Sequence, residues 1–392
     1  VELARNVLDG EPIPAEPVAT APAPTDAPAE GLAALIARIN RAERIGIVAG
    51  KGAWWPAVSA ELPGLATALG APVAYTWDGH AAMPTNHPLH LGMWRGEWSH
   101  PEIRAALRTC DLVLGVGIRP GTEAARHVPA DCGGPLICLM ASDEPAADGS
   151  PFIPSMASLA ATLRGIADGA RRRRASEEVL AGCARANQTL RAALAAEMAR
   201  YADTRPWHIG LAIQALAERM TADNVVVSDV SNVKLWMPLQ LPVFGPESHV
   251  QAGTWGEMGY ALPAALGAAF ARPGRKVIAL SGDTSFLMAS SDFVTLVQHK
   301  LPVVVAVHHD GQLGMIHNML TRDGATPYAT NIGDVHFAKW AEACGATGIR
   351  VTSPEEIGPA WDRALDADGP VLLEFLAGHD FPWPRVPRLL GL

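Results

Sequence analysis

Cysteine is scarce in this chain. There are five in 392 residues (Cys110, Cys132, Cys138, Cys183 and Cys344), scattered, odd in number and without metal-ligand spacing. A disulfide framework or a zinc cluster is therefore excluded as the basis of the fold, and the usage suits a reducing cytoplasm. No apolar run reaches the roughly 18 residues that a membrane helix needs, and no signal peptide is evident. An excess of positive charge is also absent. The formal net charge is -9 and the pI near 5.8, which argues against a nucleic-acid footprint. The one basic run, Arg171 to Arg174, follows a helix-like segment and reads as a solvated linker. An initiator Met is missing too, and Val1 to Leu8 has no polar lead-in, so it reads as the middle of something longer.

What is present is aliphatic. At 49% hydrophobic, the chain can fill two ordinary cores. Residues 1–30 read as an interdomain linker, because Glu11 to Glu30 repeats Pro and Ala without periodicity. Residues 31–165 alternate strand and helix signals, with buried-type strands at Ile45 to Gly50, Pro72 to Tyr75, Leu112 to Gly117 and Leu136 to Met140. Residues 166–201 are Ala-, Arg- and Glu-rich and read as a helical linker. Residues 202–378 repeat the alternation, with strands at Asn224 to Asp229, Lys276 to Ser281, Leu301 to Val307 and Val371 to Phe375. A proline-rich tail, 379–392, closes the chain. Such alternation predicts an α/β protein with two doubly wound parallel sheets.

The chemistry concentrates in Gly282 to Met315. A strand ends in Gly282-Asp283 and a helix follows, with Phe286, Phe293, Leu296 and Val297 on its apolar side. A second strand then ends in His308-His309-Asp310-Gly311-Gln312. Ligands of parallel sheets gather at the strands' carboxyl ends, and a turn into a helix N-terminus offers N–H groups to an anion. Two carboxylates beside an anion can hold a hard cation. The spacing alone equally fits an ordinary α/β unit with acidic strand ends.

This stretch resembles the signature of thiamine-diphosphate enzymes, Gly-Asp-Gly and later Asn-Asn. Thr254 to Ala265 and Leu313-Gly314-Met315 resemble its flanks in acetolactate synthase and its relatives, pyruvate oxidase and 2-keto acid decarboxylases. Ala71-Pro72-Val73, His87 to Met93 and Gly115 to Arg119 look like their central domain. The resemblance implies thiamine diphosphate with Mg2+, held at the metal by Asp283, Asp310 and the carbonyl of Gln312. It implies cofactor contacts from Ser231, Asn232, Val233, Gly256, Glu257, Met258, Gly282, Asp283, Thr284, Ser285, Gly314 and Met315. By the same likeness, Gly256 accepts from the cofactor's amino group and Met258 is the wedge beneath its rings. Met258 also fits a core methionine, and Ser231-Asn232 a plain strand-to-helix turn. The substrate would be a small 2-keto acid or aldehyde, facing Ile316 and Met319. No catalytic residue is implied in this chain, since the activating Glu belongs to an N-terminal pyrimidine-binding domain. That domain is expected from a separate polypeptide, in a hetero-oligomer (a dimer of heterodimers), with a larger precursor cut before Val1 as the other source, rather than this chain being an inactive remnant.

Three positions depart from the signature. Thr284 replaces its second Gly, His309-Asp310 replaces Asn-Asn, and Met319 stands where acetolactate synthases carry a Trp. His308 and His309 are therefore candidate acid–base groups, although a strand-end histidine is an equally ordinary role. A degenerate site in a structural or regulatory subunit is the alternative. Relatives bind FAD or ADP in the central domain. Here the Gly115-x-Gly117 spacing and the loop Trp94 to Trp98 disfavour FAD, and a nucleotide-binding enzyme is the third reading.

Overall fold

The computed structural model describes residues 31–94, 96, 99–119, 123–141, 151, 153–252 and 256–378. The proposed linker 1–30, the tail 379–392, Thr254-Trp255, Trp98 and Gly121 lie outside them.

Among the described residues there are two sheets, both wholly parallel. The first contains β1 (Ile45–Ala49), β2 (Val73–Tyr75), β3 (His90–Met93), β4 (Leu112–Val116) and β5 (Leu136–Leu139), in the order β3-β2-β1-β4-β5. The second contains β6 (Asn224–Ser228), β7 (His249–Gln251), β8 (Lys276–Gly282), β9 (Val303–His309), β10 (Thr347–Val351) and β11 (Val371–Leu376), in the order β10-β11-β9-β8-β6-β7. Strands β1, β4, β6 and most of β8 and β9 are buried along their length, because helices cover both faces. This is the expected α/β architecture. Each order reverses once near its centre, between β1 and β4 and between β6 and β8, and a ligand crevice belongs at such a reversal.

The linking helix Glu177–Tyr201 begins with Ser176 accepting from the Val179 N–H and carries Glu177 and Glu178 in its first turn. It buries Cys183 and Ala186 against the first domain and Leu194 and Met198 toward the second. The helix Met156–Gly169 runs past the expected boundary at 165 and packs on the first domain, with Leu32 against Gly165 and an Arg164–Glu61 pair. The basic run is less solvated than its composition suggests. Arg173 donates to the carbonyls of Ile39 and Ala42, at 2.9 and 2.8 Å, and so closes the C-terminus of the helix Leu32–Arg41. The helix expected after Gly282 is two short ones, Asp283–Ala289 and Asp292–Gln298, broken at Ser290-Ser291. Phe286, Phe293 and Leu296 are buried as expected, and Val297 packs on them. No helix among the described residues is long and apolar enough to cross a membrane.

Candidate functional site

The carboxyl ends of β6, β8 and β9 meet beside the second sheet's reversal. Asp229, just past β6, is 1% exposed. Its Oδ1 accepts from the N–H groups of Val230 (2.9 Å), Gly259 (3.0 Å) and Tyr260 (3.3 Å). Its Oδ2 accepts from Ala261 N–H (3.3 Å) and the Ser281 hydroxyl (2.9 Å). Burial pushes this carboxyl's pKa up, and those donors pull against the rise. One buried anion thus ties the Gly256–Tyr260 loop to β6 and β8 and caps the helix Ala261–Ala271. In the sequence Asp229 only ends a strand, with no motif to mark its role. An acidic residue closing an apolar run was the available signal.

Asp283 follows β8 and is also 1% exposed. Its Oδ2 accepts from the Gly311 N–H at 2.8 Å, so the carboxylate ties the end of β8 to the turn after β9. Gly311 sits at φ +72°, a left-handed conformation that favours glycine. In the same turn Asp310 Oδ1 accepts from the Gln312 N–H at 3.1 Å. A Cβ placed on Gly314 would lie 2.3 Å from Asp310 Oδ2 and 2.8 Å from Asn232 Nδ2. Only glycine there lets the Asp310 carboxylate and the Asn232 amide come together. Ser231 packs on Gly282, 3.0 Å from where that residue's Cβ would be. The Ser231 hydroxyl is buried and has no protein partner.

The fold thus assembles Ser231, Asn232, Gly282, Asp283, Asp310, Gln312 and Gly314. Gly256 and Glu257 are exposed on the neighbouring loop, with Met258 half-buried beside them. Val233 is buried in the core, and Met315 packs against it, so any contact from Val233 comes from its backbone. Ile316 and Met319 are 46% and 38% exposed on the helix Gly314–Arg322. Thr284 and Ser285, expected among the cofactor contacts, have internal partners for their hydroxyls. Thr284 turns its N–H and hydroxyl onto Asp283 Oδ1, and the Ser285 hydroxyl donates to the Val230 carbonyl at 3.0 Å. Short side chains in a helix's first turn reach such backbone and carboxylate partners readily.

The two histidines divide. His308 is 2% exposed, with Nε2 3.3 Å from the Gly378 carbonyl. Burial lowers its pKa to about 4, and nearby Asp283 raises it less. At neutral pH it is a neutral ring in the wall behind the carboxylate. Side chains alternate along a strand, and His309 faces the other way, onto Phe337 and Glu374. It does not reach the carboxylate pair.

The donor set fits a hard cation bound with a diphosphate. Two carboxylates offer the oxygen ligands that Mg2+ takes, and the Asn232 amide and the unpartnered Ser231 hydroxyl suit phosphate oxygens. Among the described residues no group of three or more His, Cys, Asp or Glu side chains is placed to hold a metal. At the first sheet's reversal the described backbone packs on itself. Ala53 N would lie 2.0 Å from a Cβ on Gly117, and Gly52 N–H donates to the Gly117 carbonyl at 3.0 Å.

Comparison with known proteins agrees with the geometry. Residues 229–375 match the family model of the thiamine pyrophosphate enzyme C-terminal TPP binding domain, and residues 32–132 match that family's central domain. A putative thiamine pyrophosphate-containing protein, YdaP of Bacillus subtilis, is 30% identical over 96% of this chain and 65% of its own length. The probable acetolactate synthase large subunit of Methanococcus aeolicus is 25% identical over 89% of this chain and 60% of its own length. For the acetolactate synthase large subunit of Corynebacterium glutamicum the figures are 27%, 83% and 53%. The chain spans between half and two thirds of the length of these relatives. The chain therefore belongs to the thiamine-diphosphate enzymes, and residues 32–132 and 229–375 are a central domain and a C-terminal TPP binding domain of that family.

Proposed function

We propose that this chain supplies the diphosphate- and Mg2+-binding part of a carbon–carbon lyase or carboligase acting on 2-keto acids, by decarboxylation, acyloin formation or both. The observation that carries this reading is the meeting of Asp283, Asp310, Asn232 and the unpartnered Ser231 hydroxyl at one sheet reversal. Thiamine diphosphate supplies the carbanion and electron-sink chemistry when bound. Asp283, Asp310 and the Gln312 carbonyl would hold the metal, and Ser231 and Asn232 would hold phosphate oxygens. The half-buried Met258 and exposed Gly256 lie on the loop that Asp229 anchors, so their placement follows from that carboxylate. Ile316 and Met319 would set which substrate chain fits, with no Trp to narrow the pocket.

The same reading places a pyrimidine-binding domain, carried by a separate polypeptide in a hetero-oligomer, against this face. Exposed apolar side chains near the site support it. Leu287 and Met288 are 40% and 61% exposed, and Met288 adjoins Gly259. A second reading, a structural or regulatory subunit with a degenerate site, is favoured by the inward engagement of both Thr284 donors. The test is CO2 release from a panel of 2-keto acids by this chain with Mg2+, thiamine diphosphate and a co-expressed pyrimidine-binding domain. Turnover that requires both polypeptides supports the first reading. Absence of cofactor binding, with no turnover on any member, supports the second.

A further inference from the structure

Glu374 is charged, yet it lies inside the apolar strand β11 and is 0% exposed. Such a group needs partners. Its Oε1 is 2.8 Å from His309 Nδ1 and 3.5 Å from an Arg350 guanidinium nitrogen. Its Oε2 accepts from the Ala338 N–H at 3.0 Å. The His336 Nδ1 lies 3.3 Å from Oε2, but that nitrogen accepts from the Lys339 N–H, so His336 is a neighbour and not a donor. Burial works against the charge, while His309, the Ala338 N–H and Arg350 pull the pKa of Glu374 down, so the group is a carboxylate at neutral pH. A carboxylate acceptor fixes the proton of His309 on Nδ1.

From this we infer that Glu374 and His309 are positioning residues for the Asp310 metal ligand, an inference that rests on the proposed cofactor site. The argument is local. His309 is the last residue of β9, and Asp310 begins the turn. Beyond the turn, Leu313 N–H donates to the Thr330 carbonyl at 2.7 Å and Ile332 N–H to the Gly311 carbonyl at 3.0 Å. The turn is thus fixed at its far side by 330–332 and at its near side by the His309–Glu374 bond. With His309 held to one face of the sheet, alternation directs Asp310 to the other, where Asn232 and Gly314 lie. The bond also explains how His stands in a position where the signature has Asn. The Nδ1 of His and the Nδ2 of Asn are both one atom beyond Cγ, so each can offer an N–H at the same place.

The test compares wild type with His309→Ala, His309→Asn and Glu374→Gln in two arms. In the first, amide hydrogen exchange is followed in the cofactor-free protein. The Gly311 and Gln312 amides, whose acceptors are Asp283 and Asp310, should exchange about tenfold faster in His309→Ala, and at near wild-type rates in His309→Asn. Ile278 to Leu280 in β8 should not change. In the second, titration with Mg2+ and thiamine diphosphate should show affinity about 10- to 100-fold weaker in His309→Ala and Glu374→Gln, restored in His309→Asn. Unchanged exchange at Gly311 and Gln312, or an equal rise along β8, would overturn the positioning role. Absence of cofactor binding by wild type would instead sink the proposed function, with the exchange arm still deciding the role of His309.

Discussion

The two sheets have the same design and opposite contents at their reversals. In the first, Gly50, Gly52 and Gly117 let the carboxyl ends of β1 and β4 close on each other. Gly50 N–H donates to the Val116 carbonyl at 2.7 Å, and a Cβ on Gly50 would sit 2.7 Å from the Gly117 carbonyl oxygen. In the second, glycine brings unlike groups together, Gly314 admitting a carboxylate and an amide and Gly311 turning its N–H onto Asp283. Glycine that joins backbone to backbone stabilises a domain. Glycine that joins side chains to a turn makes a site.

Substitutions at these glycines should separate the two cases. The largest expected effect is Gly117→Ala, which combines φ +70° with a Cβ 2.0 Å from Ala53 N. It should cost about 3–5 kcal/mol in denaturant unfolding, and the protein that remains folded should bind cofactor with unchanged affinity. Gly314→Ala should do the reverse. It should cost about 1–3 kcal/mol, by displacing Asp310 or Asn232, and weaken binding of Mg2+ and thiamine diphosphate about 10- to 100-fold. Equal effects of both variants on affinity would break the comparison. Asp229→Ala falls between them, because it leaves the N–H groups of the Gly256–Tyr260 loop without their acceptor. It should cost about 2–4 kcal/mol and weaken binding as well.

Acid should act mainly through buried histidines. Burial lowers the pKa of His208 and His249 to about 3 and of His90 and His308 to about 4, from an ordinary 6.5. His80, whose Nδ1 lies 2.9 Å from that of His249 across the two domains, is lowered too, by burial, then His249, then His90. Below about pH 6.5 the unfolded chain takes up protons that the folded one does not, so stability is fully present above that pH. It should fall as pH drops from about 6.5 toward 4, by up to about 1.4 kcal/mol per pH unit for each histidine. A thermal midpoint measured between pH 8 and 4 checks this. His249→Gln should flatten the slope, and a midpoint constant down to pH 4.5 would contradict it. Glu374 has the carboxylate sign. Its depressed pKa gives stability that is present above its unfolded value and lost as pH falls through the folded one.

The smallest effects test the basic run. Arg173→Ala should cost about 1 kcal/mol, because it uncaps the helix Leu32–Arg41. Arg172→Ala, exposed on the surface, should stay within about 0.5 kcal/mol.

Legibility in the sequence followed length and burial. The long aliphatic strands β1, β4, β6, β8, β9 and β11 were readable because strands buried on both faces are continuous apolar runs. Strands β3, β7 and β10 were not read as strands. They are sheet edges of three to five residues, with His90, His249 and Arg350 among them. The positions of Asp283, Asp310, Gly314 and Ser231 came from the signature, and the fold brings them together. Their partners did not come from it. That Thr284 turns inward, that His309 faces Glu374, and that Asp229 holds the Met258 loop depend on which strands are neighbours, and spacing along the chain does not carry that. A lone charged residue in an apolar strand, as at Glu374, and an acidic residue closing one, as at Asp229, are the usable clues.

The most direct measurement is a calorimetric titration of thiamine diphosphate with Mg2+ into this chain, with and without a pyrimidine-binding polypeptide, in wild type and Asp283→Ala. The account predicts saturable, metal-dependent binding that strengthens with the second polypeptide and weakens more than about 100-fold in the variant, beyond the usual effect of residues behind a metal ligand. No binding under either condition, or binding that Asp283→Ala leaves intact, would contradict it.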